Sequence, residues 1–102
     1  MKIYIRGRNL RITDGLRQHV EKQLDRLSRH YDRIFEAHVT LRAERELRIV
    51  DVTLHLPHRL VKAEERSKGI DEAIDRVRDR LEHQIQKLKT RKLDKRHVAP
   101  AV

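Results

Sequence analysis

The chain has 102 residues, enough for one domain that buries roughly two thirds of the surface its unfolded form exposes, and too few for a second core. Charged residues make up 40% of it and the formal net charge is +9, yet Leu, Ile and Val recur at regular spacings, which excludes a disordered chain and points to a folded domain in a charged shell. Cysteine is absent, excluding disulfides and thiolate metal sites, and Met1 to Leu10 hold no apolar run fit for a signal peptide or membrane span, so a cytoplasmic protein is expected.

Lys2 to Arg8 predicts a strand, because Ile3 and Ile5 alternate with Lys2, Tyr4 and Arg6. Asn9 to Asp14 turns the chain. Thr13 is a suitable N-cap, and Leu16, Val20, Leu24, Leu27 and Tyr31 follow at helical spacing. Ala37, Val39, Leu41 and Ala43 then alternate with His38, Thr40, Arg42 and Glu44. After a turn near Arg45 to Arg48, Val50, Val52, Leu54 and Leu56 repeat that alternation, so the two strands are expected to form a hairpin. Pro57 and His58 break the second strand, and Leu60 to Glu65 reads as a short, edge-like strand. Ser67 and Gly69 punctuate the next boundary. A final helix puts Ile70, Ala73, Ile74, Val77, Leu81, Ile85 and Leu88 on one face. Beyond Leu93 the pattern is lost, so residues 1–93 are expected to form the domain and 94–102 a flexible basic tail.

In each strand one set of alternate positions is apolar and the other polar, so the sheet has one dry face, and both helices must cover it. The first two strands are joined through a helix, which predicts a parallel pair with a right-handed crossover. Short turns make the remaining pairs antiparallel. The expected fold is α+β: a two-layer sandwich of order β-α-β-β-β-α, with two helices packed on one face of a four-stranded mixed sheet.

The positive charge is localised. Met1 to Arg33 carries nine basic and four acidic residues (+5), Ile34 to Asp75 seven and nine (−2), and Arg76 to the end nine and three (+6). At about 100° per residue, Lys22, Arg26, Arg29 and Arg33 fall in one row opposite the apolar stripe of the first helix. In the last helix Arg76, Arg80, Lys87 and Arg91 run down one flank of the stripe, and Arg78 and Lys89 down the other. Such flanking cations commonly snorkel over the core and pair with nearby acids, and for Arg76 to Gln84 that reading stands level with a functional one. It weakens further on, where Lys87, Lys89, Arg91, Lys92, Lys95 and Arg96 face only Asp94. A localised basic surface on a small domain most often meets a polyanion. Only Tyr4, Tyr31 and Phe35 are aromatic, so phosphate and ribose contacts on structured RNA are favoured over base stacking. The candidate RNA-binding residues are Lys22, Arg26, Arg29, Arg33, Arg80, Lys87, Lys89, Arg91 and Lys92. A membrane surface is a poorer partner, because both apolar stripes are needed for the core.

Catalysis finds no specific support. His55 and His58 form an H-x-x-H, but on a strand that spacing sends the rings to opposite faces unless Pro57 redirects the chain. Ser28 and Ser67 lie in no nucleophile elbow, and Gly7, Gly15 and Gly69 make no phosphate loop. No enzyme activity, metal, cofactor or small-molecule substrate is expected.

The residues, taken in order, resemble the ribosome hibernation promoting factor and ribosome-associated inhibitor family over essentially Met1 to Leu93. The opening I-x-I-x-G-R-N-L (Ile3 to Leu10), Thr13 with L-R-Q-H-V-E-K-Q-L-D-R-L, V-K-A-E (Val61 to Glu64) and A-I-D-x-V-x-x-x-L-x-x-Q-I-x-K-x-K (Ala73 to Lys89) carry the likeness. The resemblance implies a stress or stationary-phase factor that lodges between head and body of the small ribosomal subunit. There it would fill the mRNA and A- and P-site tRNA path, blocking translation and preserving idle ribosomes. The implied partners are ribosomal RNA and the small subunit, met by Lys22, Arg26, Arg29, Lys87, Lys89, Arg91 and Lys92. Two positions depart from the family pattern. Gly69 stands where an acidic cap is usual, leaving Ser67 as a substitute cap, and Asp71 stands where an aromatic residue is usual. Long members add a second domain that pairs ribosomes; it is absent here, which implies a short form or a lone N-terminal domain. A general double-stranded-RNA-binding module, and a protein-interaction domain that modulates transcription, are the alternatives.

Overall fold

The computed structural model describes the backbone of residues 1–101 and the side chains of residues 1–89. Its elements are β1 (Lys2–Arg8), α1 (Asp14–His30), β2 (Glu36–Glu44), β3 (Leu47–Leu56), β4 (Arg59–Ser67) and α2 (Ile70–Ala101), in the expected order. The tail expected over residues 94–102 lies outside the residues whose side chains are described.

Local chemistry fixes the connections. Gly7 passes so close to the following turn that a Cβ there would stand 2.4 Å from the Leu10 carbonyl oxygen. Asn9 supplies the left-handed residue of that turn, with φ 56°, a conformation Asn tolerates better than most residues. The Thr13 hydroxyl then accepts from the Leu16 N–H at 3.2 Å, and Asp14 sits in the positively polarised first turn of α1. β2 and β3 are joined by Arg45 and Glu46, and β3 and β4 by Pro57 and His58, with φ 55° at Arg45 and 65° at His58. Proline followed by a left-handed residue is the pattern of a type II turn. At the start of α2 the cap position belongs to Gly69, whose carbonyl accepts from the Ala73 N–H at 3.1 Å, while Ser67 ends β4 instead of capping the helix. Asp71 and Glu72 supply the favourable negative charge of the first turn.

The sheet order is β1-β2-β3-β4. β1 pairs parallel with β2, and the other two pairs are antiparallel. Val39, Leu41, Val50, Val52, Leu54 and Val61 of its dry face meet Val20, Leu24 and Leu27 of α1 and Ile74, Val77, Leu81 and Ile85 of α2 in one core. Each such side chain, fully buried, contributes about 1.5–3 kcal/mol of transfer free energy. β4 is an edge strand as expected, but it runs nine residues, longer than its apolar pattern.

One residue departs from the two-face pattern. Ile49 shares the open face with Asp51, Thr53 and His55, yet is 1% exposed. Its cross-strand partners on either side are Arg42 and Arg66, whose aliphatic stems flank it.

The two helices run in the same direction. His19 of α1 meets Asp75 of α2 at 3.0 Å; one end further on, His30 lies 3.7 Å from Glu82, and Lys89 donates to the His30 carbonyl. Both C-terminal halves therefore sit at one end of the helical layer.

Candidate nucleic-acid interface

The apolar stripe of α1 faces the sheet, so the opposite side of the helix is turned to water, and there Lys22, Arg26 and Arg29 stand exposed. Arg33 is exposed too, although α1 stops at His30 and Tyr31 closes it through an N–H to Leu27 carbonyl bond of 3.1 Å. The ridge is thus three helical residues continued by one in the connection to β2. Among the described residues none of these four side chains has an ion-pair or hydrogen-bonding partner.

The cations of α2 divide into two groups. Arg76 pairs with Glu72 at 2.5 Å and donates to the Arg66 carbonyl at 3.1 Å. Arg78 pairs with Asp79 at 2.6 Å and Glu82 at 3.4 Å. Arg80 donates to the Glu64 carbonyl at 3.2 Å and pairs with Glu65 at 3.1 Å, tying the helix to β4. From Arg76 to Gln84 the flanking charge is therefore engaged within the molecule. Lys87 is exposed and, among the described residues, unpartnered. Lys89 satisfies a carbonyl at the end of α1 and stands 5.9 Å above the Tyr31 ring, so it joins the two helices as well as adding charge. The side chains of Arg91 and Lys92 lie outside the described residues. The ridge on α1 and the basic part of α2, more than fifty residues apart in the chain, are brought to the same end of the molecule by the parallel run of the helices.

The open face of the sheet has a different electrostatic character. Arg42 pairs with Glu44 at 3.1 Å, with Asp51, and with Glu64 at 3.0 Å, and Arg66 adds a contact to Glu64 at 3.2 Å. Burial, with a hydrogen bond to Glu64, raises the Asp51 carboxyl above its ordinary value; hydrogen bonds from Asp51 and then Arg42 hold Glu64 below its own. This network neutralises the middle of the face, and a polyanion has less to gain there than along the helices. The edge strand β1 differs again: Arg6 and Arg8 are exposed and unpartnered among the described residues. They were absent from the sequence-based candidates because the strand's alternation marks them only as solvent-facing.

The histidines regroup across strands. His58 lies in the β3–β4 turn, while His55 joins His38, at a ring separation of 4.8 Å, and Glu36, its cross-strand partner. No helix is long and apolar enough to cross a membrane among the described residues.

Comparison with known proteins gives a consistent result. Residues 3–93 match the family described as Sigma 54 modulation protein / S30EA ribosomal protein. The ribosome hibernation promotion factor of Deinococcus radiodurans is 41% identical over 94% of this chain, and the ribosome hibernation promoting factor of Azotobacter vinelandii 34% identical over 93%. The chain spans 53% of the length of the first and 89% of the second. The solved structure of a ribosomal subunit interface protein from Coxiella burnetii superimposes with a TM-score of 0.84 at 29% identity, covering 88% of this chain and 99% of that one.

Proposed function

The chain belongs to the Sigma 54 modulation protein / S30EA ribosomal protein family, and on that premise we propose that it is a ribosome hibernation factor acting in the cytoplasm. Residues 1–93 form the ribosome-binding unit and residues 94–102 a basic tail. The unit binds the small subunit in the mRNA and A- and P-site tRNA channel and blocks translation by filling it, with no covalent step. Lys22, Arg26, Arg29, Arg33 and Lys87 contact ribosomal RNA phosphates, joined by Lys89, Arg91 and Lys92. Arg80 serves mainly to hold α2 on β4. The observation that carries this reading is the meeting of two basic segments at one end of the helical layer, with the α1 ridge and Lys87 unpaired among the described residues. Free cations release counterions when they neutralise phosphates, so affinity falls steeply as salt rises.

Sedimenting the protein with purified ribosomes across a salt series, with translation measured alongside, tests the reading. Binding at low salt that weakens as salt rises, together with inhibited translation, is expected. Equal affinity for any free RNA duplex would instead mark a general double-stranded-RNA binder, and salt-insensitive capture of a protein partner would overturn RNA recognition altogether.

A further inference from the structure

The open face of the sheet carries a cluster that RNA binding by the helices does not use. Glu36 and His38 are two apart on β2 and so project to the same side, and His55 of β3 is the cross-strand partner of Glu36. His38 Nε2 lies 2.9 Å from Glu36 Oε2, and His55 Nδ1 lies 3.9 Å from the same oxygen. One ligand atom from each of the three lies within 4.8 Å of the others. Ligands around a tetrahedral Zn2+ at about 2.0–2.2 Å are separated by roughly 3.3–3.6 Å, so small side-chain rotations would bring the set to bonding distance.

Two rings keep the imidazoles in place. Tyr4, the β1 partner of His38, stacks on it with centroids 4.9 Å apart and planes 17° from parallel. Phe35 meets His55 edge-on at 6.1 Å. The Glu36 carboxyl is held below its ordinary value, chiefly by the His38 hydrogen bond, and is ionised at neutral pH. Lys2, the β1 partner of Glu36, is the charge nearby that opposes a cation.

We propose that Glu36, His38 and His55 bind a divalent first-row transition ion, Zn2+ being the best match, with water in the fourth position. Two imidazoles and one carboxylate on an exposed strand face suit Zn2+ and leave a coordination position open. A Ca2+ or Mg2+ site would need a shell of oxygens, and this cluster offers only the Glu36 carboxylate. The site lies on the opposite face of the sheet from the α1 ridge, and its test needs no ribosome.

Titrating the protein with ZnCl2 in a calorimeter, and with CoCl2 while recording visible absorption, tests the site. A saturable one-to-one isotherm and the absorption bands of four-coordinate Co2+ are expected. His38→Ala and His55→Ala should each weaken binding at least tenfold and abolish those bands. His58→Asn and the quadruple ridge variant (Lys22, Arg26, Arg29 and Arg33 to Gln) should bind as the parent does. The two imidazoles are on the surface, and circular dichroism checks that their variants remain folded. Absence of saturable binding, undiminished binding in His55→Ala, or its loss in His58→Asn would each overturn the proposal.

Discussion

Replacing Lys22, Arg26, Arg29 and Arg33 together with Gln isolates the charge of the α1 ridge from its packing. All four are exposed and unpartnered among the described residues, so each substitution should change stability by no more than about 0.5 kcal/mol. Each phosphate neutralised contributes about 0.7–0.9 to the slope of log affinity against log salt, so four lost contacts lower that slope by about 3. Between about 50 and about 200 mM salt, a fourfold change, the parent should then lose about 60-fold more affinity than the variant. Ribosome co-sedimentation at several salt concentrations reads both slopes. A control triple variant, Arg76, Arg78 and Arg80 to Gln, removes cations already paired to Glu72, Asp79, Glu82 and Glu65; it should lower stability while changing the slope by less than about 1. The assignment of the ridge to RNA is refuted if the ridge variant keeps the parental slope while the control variant loses it.

Gly7→Ala should destabilise the fold by about 1–3 kcal/mol, read by urea unfolding, because its methyl meets the backbone oxygen of Leu10; Asn9→Gly, at the neighbouring left-handed position, should be nearly neutral. Lys89→Gln should cost about 1 kcal/mol through the loss of the α1 end contact and the Tyr31 ring, whereas Lys87→Gln should cost less than about 0.5 kcal/mol and act on ribosome affinity instead. Acid should weaken the fold through Glu36 and Glu64. Both are held below their ordinary value of 4.5, so their contribution is present above it and is lost as pH falls through the folded values. Asp51, raised above 3.8, acts in the opposite sense, its contribution being lost as pH rises through its folded value. Urea midpoints from about pH 6 to about pH 3 should therefore fall less steeply in Glu36→Gln than in the parent.

Features that depend on local periodicity were legible in the sequence, and features that depend on pairing were not. The stripes of α1 and α2, the Thr13 cap and the alternation of β1, β2 and β3 follow from spacing alone, and the structure places them as expected. Ile49 could not be found that way, since its burial comes from Arg42 and Arg66 on neighbouring strands. The end of β4 was hidden because Glu65 and Arg66 carry no apolar signal, yet the ladder with β3 continues through Ser67. His38 and His55 are seventeen positions apart, so their meeting beside Glu36 depends on strand register, whereas the H-x-x-H of His55 and His58 is visible in the chain itself. Along α1, the spacing reads the exposed cations as one row, but it extends that row along a helix that ends before Arg33. Which cations of α2 are already engaged depends on acids and carbonyls in β4 and on the end of α1.

The convergence of the two basic segments follows from strand count. β1 and β2 are parallel, so α1 between them runs the opposite way across the sheet. β3 reverses and β4 reverses again, returning to the direction of β2, and α2 follows β4 as α1 follows β1. With one fewer strand before α2, the helices would be antiparallel and the basic halves would sit at opposite ends. As built, two helix C-termini point the same way. Each carries roughly half a negative charge from its backbone dipoles, and that field falls off within the last turn. Arg29, in the last turn of α1, and Lys89, which donates to its final carbonyl, meet the dipole of the shorter helix. The fold thus gathers mutually repelling cations at one end, and the dipole of the shorter helix eases their repulsion there. Exchanging Arg29 for Glu tests this directly. It places an anion at a helix C-terminus and should cost about 0.3–1 kcal/mol in urea unfolding, in addition to weakening ribosome binding. If Arg29→Glu is no less stable than Arg29→Gln, the helix dipole plays no part in holding the patch together.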